Sequence, residues 1–425
     1  MSNTVIIIVN IALSVILAVG LTPLWVWWER RIAGFIQDRS GPNRCNIGVF
    51  RLGGLIQSIA DMLKLIFKED FVPSHIKNKF FFTIAPVIVF FCSFLTFAVI
   101  PYGDVFVYDG TSHTMQAIPN HLGIMWFVAF AGLSVYGIIL GGYSSGSKYG
   151  LLGSIRASAQ VISYEVAMGL AIISMIISYG SIHLTDMVNA QAGTYFGIIP
   201  MWGVFIQPIA AIIFIVCAFA ETNRAPFDLA EGESEIVAGY HTEYSAMKFG
   251  LFQVGEYAAM SASSAIIVTL FFGGYQIPWM DTATIQANIN YVILAIVITL
   301  PILIYIFTSW IKKNNKAIGQ NTSREKETKI LVTTFWLLGI GVCALLISFL
   351  VTGLGENGVN IVTAALQIGT FLIKFFMMAF VFMWVRWTVL RFRYDQLQML
   401  GWKVLIPLAL LNIVVTAIFI VVKGS

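Results

Sequence analysis

The chain has 425 residues, of which 58% are hydrophobic and only 11% charged, and its formal net charge is +4. A mean hydropathy of +0.84 over that length leaves no soluble domain of ordinary size and fits an all-α, polytopic transmembrane protein. Cys45, Cys92, Cys217 and Cys343 stand singly, without the paired spacing of a zinc site, an iron–sulfur cluster or a disulfide framework, so no metal or cofactor is expected on this chain and no basic patch calls for nucleic acid.

The first apolar run, 4–28, lacks a basic segment before it and ends in an aromatic cluster followed by Glu29, Arg30 and Arg31. It reads as a first span and not as a cleaved signal peptide. A loop of about fifty residues follows, too long for a plain connector, and opens with ERRIAGFIQDRSGPNRCNIG. Ser40-Gly41-Pro42-Asn43 is a strong turn signal that places Arg39 and Arg44 on either side of a fixed bend. From Leu52 to Phe67, Leu52, Leu55, Ile56, Ile59, Leu63, Ile66 and Phe67 recur at helical spacing, opposite Gln57, Asp61, Lys64 and Lys68. That pattern predicts an amphipathic helix over 51–69 lying at the membrane interface. It serves as a surface anchor, as the wall of a lipid-facing opening, or as a docking face.

Further apolar runs occupy 80–100, 121–143, 157–180, 199–220, 244–272, 287–311, 329–353, 361–385 and 403–422. At 1.5 Å per residue each is long enough to cross about 30 Å, which makes about ten spans. The loops after the odd-numbered spans hold 23 of the 25 Lys and Arg residues; Lys374, within a span, and Lys423 are the exceptions. The positive-inside rule therefore places those loops in the cytoplasm and both termini outside.

The unusual chemistry concentrates on that basic side. In the fourth span Arg156, Gln160, Ser163 and Tyr164 keep one helix face polar for about two turns, and Glu165 lies at similar depth. An ionised carboxylate there costs several kcal/mol unless a cation, water or a proton matches it. A satisfied helix-to-helix hydrogen bond would explain one such residue, but Glu221 closes the fifth span and Gln253 and Glu256 sit three residues apart on the sixth. The loop 221–243 adds Asp228, Glu231, Glu233, Glu235 and Glu243, interleaved with Pro226, Phe227, Leu229, Ile236 and Val237. Phe227-Asp228 and Gly232-Glu233-Ser234-Glu235 are expected to be ordered against protein, with Arg224 available for bidentate pairing to one carboxylate. The other reading is a water-exposed acidic loop.

ETNRAPFDLAEGESE followed by HTEYSAMKFGLFQVGEY closely resembles the H-subunit family of bacterial respiratory complex I, the proton-translocating NADH:quinone oxidoreductase, whose mitochondrial counterpart is NADH dehydrogenase subunit 1. ERRIAGFIQDRSGPNR, QSIADMLKLIFKED, RASAQVISYEVAMG and WVRWTVLRFRYDQLQMLGWKVLIPLALLN extend the resemblance. It divides the chain into a core of six spans at 1–280, an insert with two extra spans at 281–360, and the last two family spans at 361–425. The insert shows no chemistry of its own and reads as peripheral, or as a contact for a neighbouring subunit.

The resemblance implies an electron-transport subunit of the inner, or plasma, membrane, with quinone (ubiquinone or menaquinone) as substrate. FMN and iron–sulfur clusters would reside in partner subunits. The partners would be the cytoplasmic quinone-site and iron–sulfur subunits, the small membrane subunits and the antiporter-like subunits. Carried onto matching positions, Glu29, Arg30, Arg39, Arg44 and Asp61 would shape the quinone chamber. Glu165, Glu221, Glu231, Glu233, Glu235 and Glu256, with Tyr257, would form a proton path, and Arg224 and Asp228 would pair structurally. Two alternatives stand beside it: the equivalent subunit of an energy-converting hydrogenase, and a stand-alone ion transporter, whose internal repeats are not seen here.

Overall fold

The computed structural model describes residues 3–39, 41–48, 50–195, 197, 199–228, 237–316 and 322–424. Among them, nine helices are long and apolar enough to cross a membrane. In chain order the main helices are α1 (Thr4–Ile36), the amphipathic α2 (Leu55–Phe67), α3 (Lys79–Phe97), α4 (Gly123–Ser144), α5 (Lys148–Tyr179), α6 (Pro208–Glu221), α7 (Ala246–Phe271), α8 (Ile289–Lys316), α9 (Thr322–Thr352), α10 (Glu356–Thr388) and α11 (Tyr394–Val422). They form a polytopic helical membrane protein.

The fifth expected span differs from its prediction. Residues 199–207 are a two-residue strand, Ile199–Pro200, and a single turn, Gly203–Ile206, so α6 is only 14 residues long. At 1.5 Å per residue that covers about 21 Å, short of a full crossing. The physical reason is the run of breakers: Pro200 and Gly203 interrupt the helix, and Pro208 restarts it at its first turn. A hairpin of β1 (Gly103–Tyr108) and β2 (Thr111–Met115) also stands beyond α3.

α7 is the axis of the bundle. Of its most apolar stretch 89% is buried, against 11% for α8 and 6% for α9. The sequence explains this, because Ala258, Ser261, Ala262, Ser263, Ser264 and Ala265 are small enough for neighbouring helices to approach closely. Trp25 of α1 fills the space beside them; its indole N–H donates to Ser261 at 2.9 Å, and its ring meets Phe375 of α10 edge-on at 5.6 Å. By contrast α8 and α9 pack mainly on each other and turn apolar surface outward.

The basic loops gather at one end, and the opposite end is held by neutral amides. Gln207 donates to Ser178 at 2.9 Å and Thr416 at 2.8 Å and accepts from Asn412 at 3.0 Å, joining α5, α6 and α11. Gln191 donates to the carbonyls of Met187 and Thr269 and accepts from the amides of Gly203 and Gly273, all within 3.0 Å. Lys374, a cation well inside α10, is aimed at the chain just past α7. Its ammonium donates to the carbonyls of Phe272, Gly274 and Gln276 at 2.8, 3.0 and 2.7 Å. A cation here meets the negative end of the α7 dipole and satisfies carbonyls that water cannot reach.

Lys374→Met keeps the length of the side chain and removes every one of these bonds. It is expected to destabilise the protein by roughly 3 kcal/mol, read as a lowered thermal midpoint of the protein purified in detergent, whereas Lys374→Arg retains most of the stability.

Candidate functional site

Glu29 lies near the basic end of α1 and is only 6% exposed. A buried carboxylate is tolerated only with strong donors, and three converge on it. Arg224 Nη1 reaches Oε2 at 3.1 Å, the Tyr257 hydroxyl donates to the same oxygen at 3.0 Å, and Arg386 Nη1 lies 2.8 Å from Oε1. The Arg224 guanidinium also sits 4.2 Å from the centre of the Tyr257 ring, a cation–π contact. Four segments thus meet at one group: α1, the chain after α6, α7 and the end of α10.

Arg224 is delivered by a tightly held segment. Gln160 of α5 donates to the carbonyls of Ala220 at 2.6 Å and Phe227 at 2.7 Å. Phe227 packs between Tyr164 and Phe392, and the Phe392 amide donates to the Pro226 carbonyl at 3.1 Å. Asp228 is bound by Arg391 at 2.5 Å. Arg224 and Asp228 therefore pair with different partners, and Arg224 engages Glu29 through one nitrogen, not the bidentate fork. Glu231, Glu233 and Glu235 lie outside the described residues.

One residue beyond Glu29, Arg30 forms an ion pair at 2.5 Å with Asp61 of α2, which also accepts from Gln57 at 3.1 Å. This polar side of α2 faces α1, while Ile59, Leu63, Ile66 and Phe67 remain exposed, as a helix lying at a lipid interface requires. Farther along, Asp70 meets Lys248 at the start of α7 at 3.0 Å. Arg39 and Arg44 are exposed, and neither side chain bonds to any described residue, so the structure does not bring them into the cluster.

The remaining acids divide between α7 and the α4–α5–α6 side of the bundle. Glu256 and Tyr257 are consecutive, so their side chains leave the helix about 100° apart. Tyr257 goes to Glu29, and Glu256 accepts from the Tyr240 hydroxyl at 3.0 Å. Glu165 lies against Gly132 of α4, where a Cβ would stand 2.5 Å from its Oε1; a glycine makes the room. Glu221 is close enough to Glu165 for the two charges to interact, and its Oε2 has no hydrogen-bond partner among the described residues. The arrangement brings several carboxylates into buried or half-buried surroundings, which is where groups that gain and lose protons near neutral pH are found.

Sequence reasoning missed three contributors. Arg386 and Arg391 are visible in the sequence only as basic residues after the ninth span, and their acidic partners lie far off in the chain. His241 carries no signal of its own there. It is buried beside Tyr240 and Phe249, with ring centres at 5.1 and 5.2 Å, and burial holds its imidazole down at about 4 against a usual 6.5.

Two outcomes follow for stability. Glu29→Gln strips the buried Arg224 guanidinium of this carboxylate and is expected to cost about 3–5 kcal/mol, more than Arg224→Met, which leaves Glu29 with Arg386 and Tyr257, as measured by thermal unfolding of the two variants. His241 must stay neutral in the folded state, so the unfolded chain takes up the extra proton below pH 6.5 and stability falls as pH drops from there toward 4. At pH 5 the loss is roughly 2 kcal/mol, and His241→Phe should flatten that slope in melts taken at about pH 7.5 and pH 5.

A family model described as NADH dehydrogenase matches residues 8–315 and 329–417. The chain is similar to the H subunit of NADH-quinone oxidoreductase from Flavobacterium psychrophilum, 39% identical over 98% of this chain and 96% of that protein. It is 38% identical to the H subunit from Flavobacterium johnsoniae over 97% of this chain and 93% of the other. Subunit 8 of the Rhodothermus marinus enzyme is 38% identical over 96% and 95% of the two chains.

Proposed function

Since the chain belongs to the H-subunit family of NADH-quinone oxidoreductase and is a membrane subunit of complex I, we propose that its basic end helps build a quinone chamber and couples quinone reduction to proton translocation. The observation that carries this reading is the junction at the middle of α7. There a buried Glu29–Arg224–Arg386–Tyr257 cluster stands next to the Arg30–Asp61 pair, and the adjoining residue of the same helix, Glu256, turns to a separate contact with Tyr240.

In this reading quinone enters from lipid between α1, α2 and α7, whose apolar surfaces flank Arg30 and Asp61. Reduction to quinol consumes two electrons and two protons, and a charged intermediate in a low-dielectric chamber acts strongly on nearby ionisable groups. Glu29 is the first to respond, because its guanidinium partners are shared with whatever anion arrives. Tyr257 and Glu256 transmit the change along α7, and Glu165 and Glu221 redistribute protons in turn. Arg39, Arg44 and the acids Glu231, Glu233 and Glu235 complete the chamber rim and the path. The basic end faces the cytoplasm, and both termini lie outside the inner membrane. It is covered by cytoplasmic quinone-site and iron–sulfur subunits, which carry the FMN and clusters, while small and antiporter-like membrane subunits adjoin the acid path. Residues 1–280 and 361–425 supply this core and 281–360 add a two-helix unit.

Glu165→Gln and Glu221→Gln are expected to suppress quinone-dependent proton pumping by intact complex in sealed vesicles, while electron entry from NADH to an artificial acceptor continues. Wild-type proton pumping in both variants sinks the coupling role.

A further inference from the structure

One carboxylate breaks the pattern of the outward-facing pair α8 and α9. Glu327, in the first turns of α9, is only 4% exposed, on a helix whose apolar stretch is 6% buried. Its Oε1 accepts from the backbone amides of Arg51 and Leu52 at 2.9 and 2.7 Å. Two successive amides closing on one anion is the geometry of a backbone anion nest, and the negative charge also suits the amino end of the helix that follows.

The turn held in this way is an unusual one. Leu52, Gly53 and Gly54 have φ of 47°, 62° and 95°, three left-handed residues in succession. Leucine is disfavoured there, so the turn persists only if its surroundings determine it. Its carbonyl side is gripped by α1: the Gly53 oxygen accepts from Trp27 Nε1 and Arg31 Nε, both at 3.0 Å, and from Arg31 Nη2. A Cβ at Gly54 would collide with the Pro42 carbonyl. Its amide side is gripped by Glu327. The turn launches α2 at Leu55, and α2 then meets α1 through Asp61 and α7 where Leu65 lies against Gly250. At the opposite end the helix pair is fastened by Ile285, Ile289 and Ile293, packed with Leu346, Leu350 and Leu354.

We infer that Glu327 is a positioning residue that latches the turn 51–54, so that the pair α8–α9 sets the angle of α2 and with it the passage of long-tailed quinone from the lipid. This rests on the chamber reading above. The isoprenoid tail must slide past α2, whereas a short-tailed analogue needs far less of the opening, so a loosened latch acts mainly on the former.

The test uses intact complex carrying Glu327→Ala or Glu327→Gln, reconstituted in liposomes. Hydrogen exchange at the amides of Arg51 and Leu52 should quicken about tenfold or more in Glu327→Ala and less in Glu327→Gln, whose side-chain carbonyl still accepts. KM for a long-tailed quinone should rise several-fold with kcat nearly unchanged, KM for a short-tailed analogue should hold, and NADH oxidation by an artificial acceptor should stay at the wild-type rate. Unchanged exchange at both amides in Glu327→Ala overturns the latch. Asp61→Asn in the same preparation keeps the two readings apart. Altered quinone kinetics there, with wild-type kinetics in Glu327→Ala, overturns the positioning role alone. Wild-type quinone kinetics in both overturns the chamber reading beneath it.

Discussion

The bundle depends on how a single buried carboxylate is neutralised. Glu29 sits where water cannot solvate it, so its charge must be answered by protein groups, and Arg224, Arg386 and Tyr257 each come from a different part of the chain. Two cations converge on this one carboxylate, and the Tyr257 ring face also helps to hold the Arg224 guanidinium. Because the donors are fixed by α7, α10 and the tightly held segment after α6, none of these can slide without exposing the carboxylate. The cluster is therefore both a structural rivet and a place where an arriving anion would be felt.

α7 turns that rivet into a junction. Its small residues let α1 and α10 close on it, and its consecutive Glu256 and Tyr257 reach two separate clusters. A shift or rotation of this helix cannot change one contact without disturbing the other. The first turn of the same helix carries Lys248, paired with Asp70 just past the interfacial α2, so the lipid-facing and acid-bearing sides share one rigid element. Coupling of the proposed kind needs no moving domain, only a rigid rod with charge responses on two faces.

Most of the fold is legible in the sequence because lipid enforces a simple rule: a span must be apolar for about twenty residues. The rule fails at 199–220, where apolar length competes with the breakers Pro200, Gly203 and Pro208, and the breakers win. The hairpin around Asp109-Gly110 carries a turn signal of the usual two-residue kind, overshadowed by the surrounding hydropathy. The amphipathic stripe of α2 is readable from spacing, but its partner is not: nothing local in Asp61 says that it meets Arg30. Likewise the acids can be recognised by type and depth, whereas their sorting into Glu29 with Arg386, Asp228 with Arg391, and Glu256 with Tyr240 is set by tertiary packing. Glu327 carries no signal beyond being an acid in a basic segment.

The two ends of the molecule are built from different materials. Among the described residues every ion pair lies at the basic end, while the opposite end is joined by amide and hydroxyl bonds through Gln191 and Gln207 and by the Lys374 ammonium on backbone carbonyls. Ionic strength and pH act on charges and leave neutral hydrogen bonds almost untouched. The helices thus resemble the tines of a fork, clamped at a base held mainly by neutral bonds and free to answer electrical conditions at their tips. Changes in the surrounding electrolyte should splay or gather the tips while the base keeps the membrane sealed.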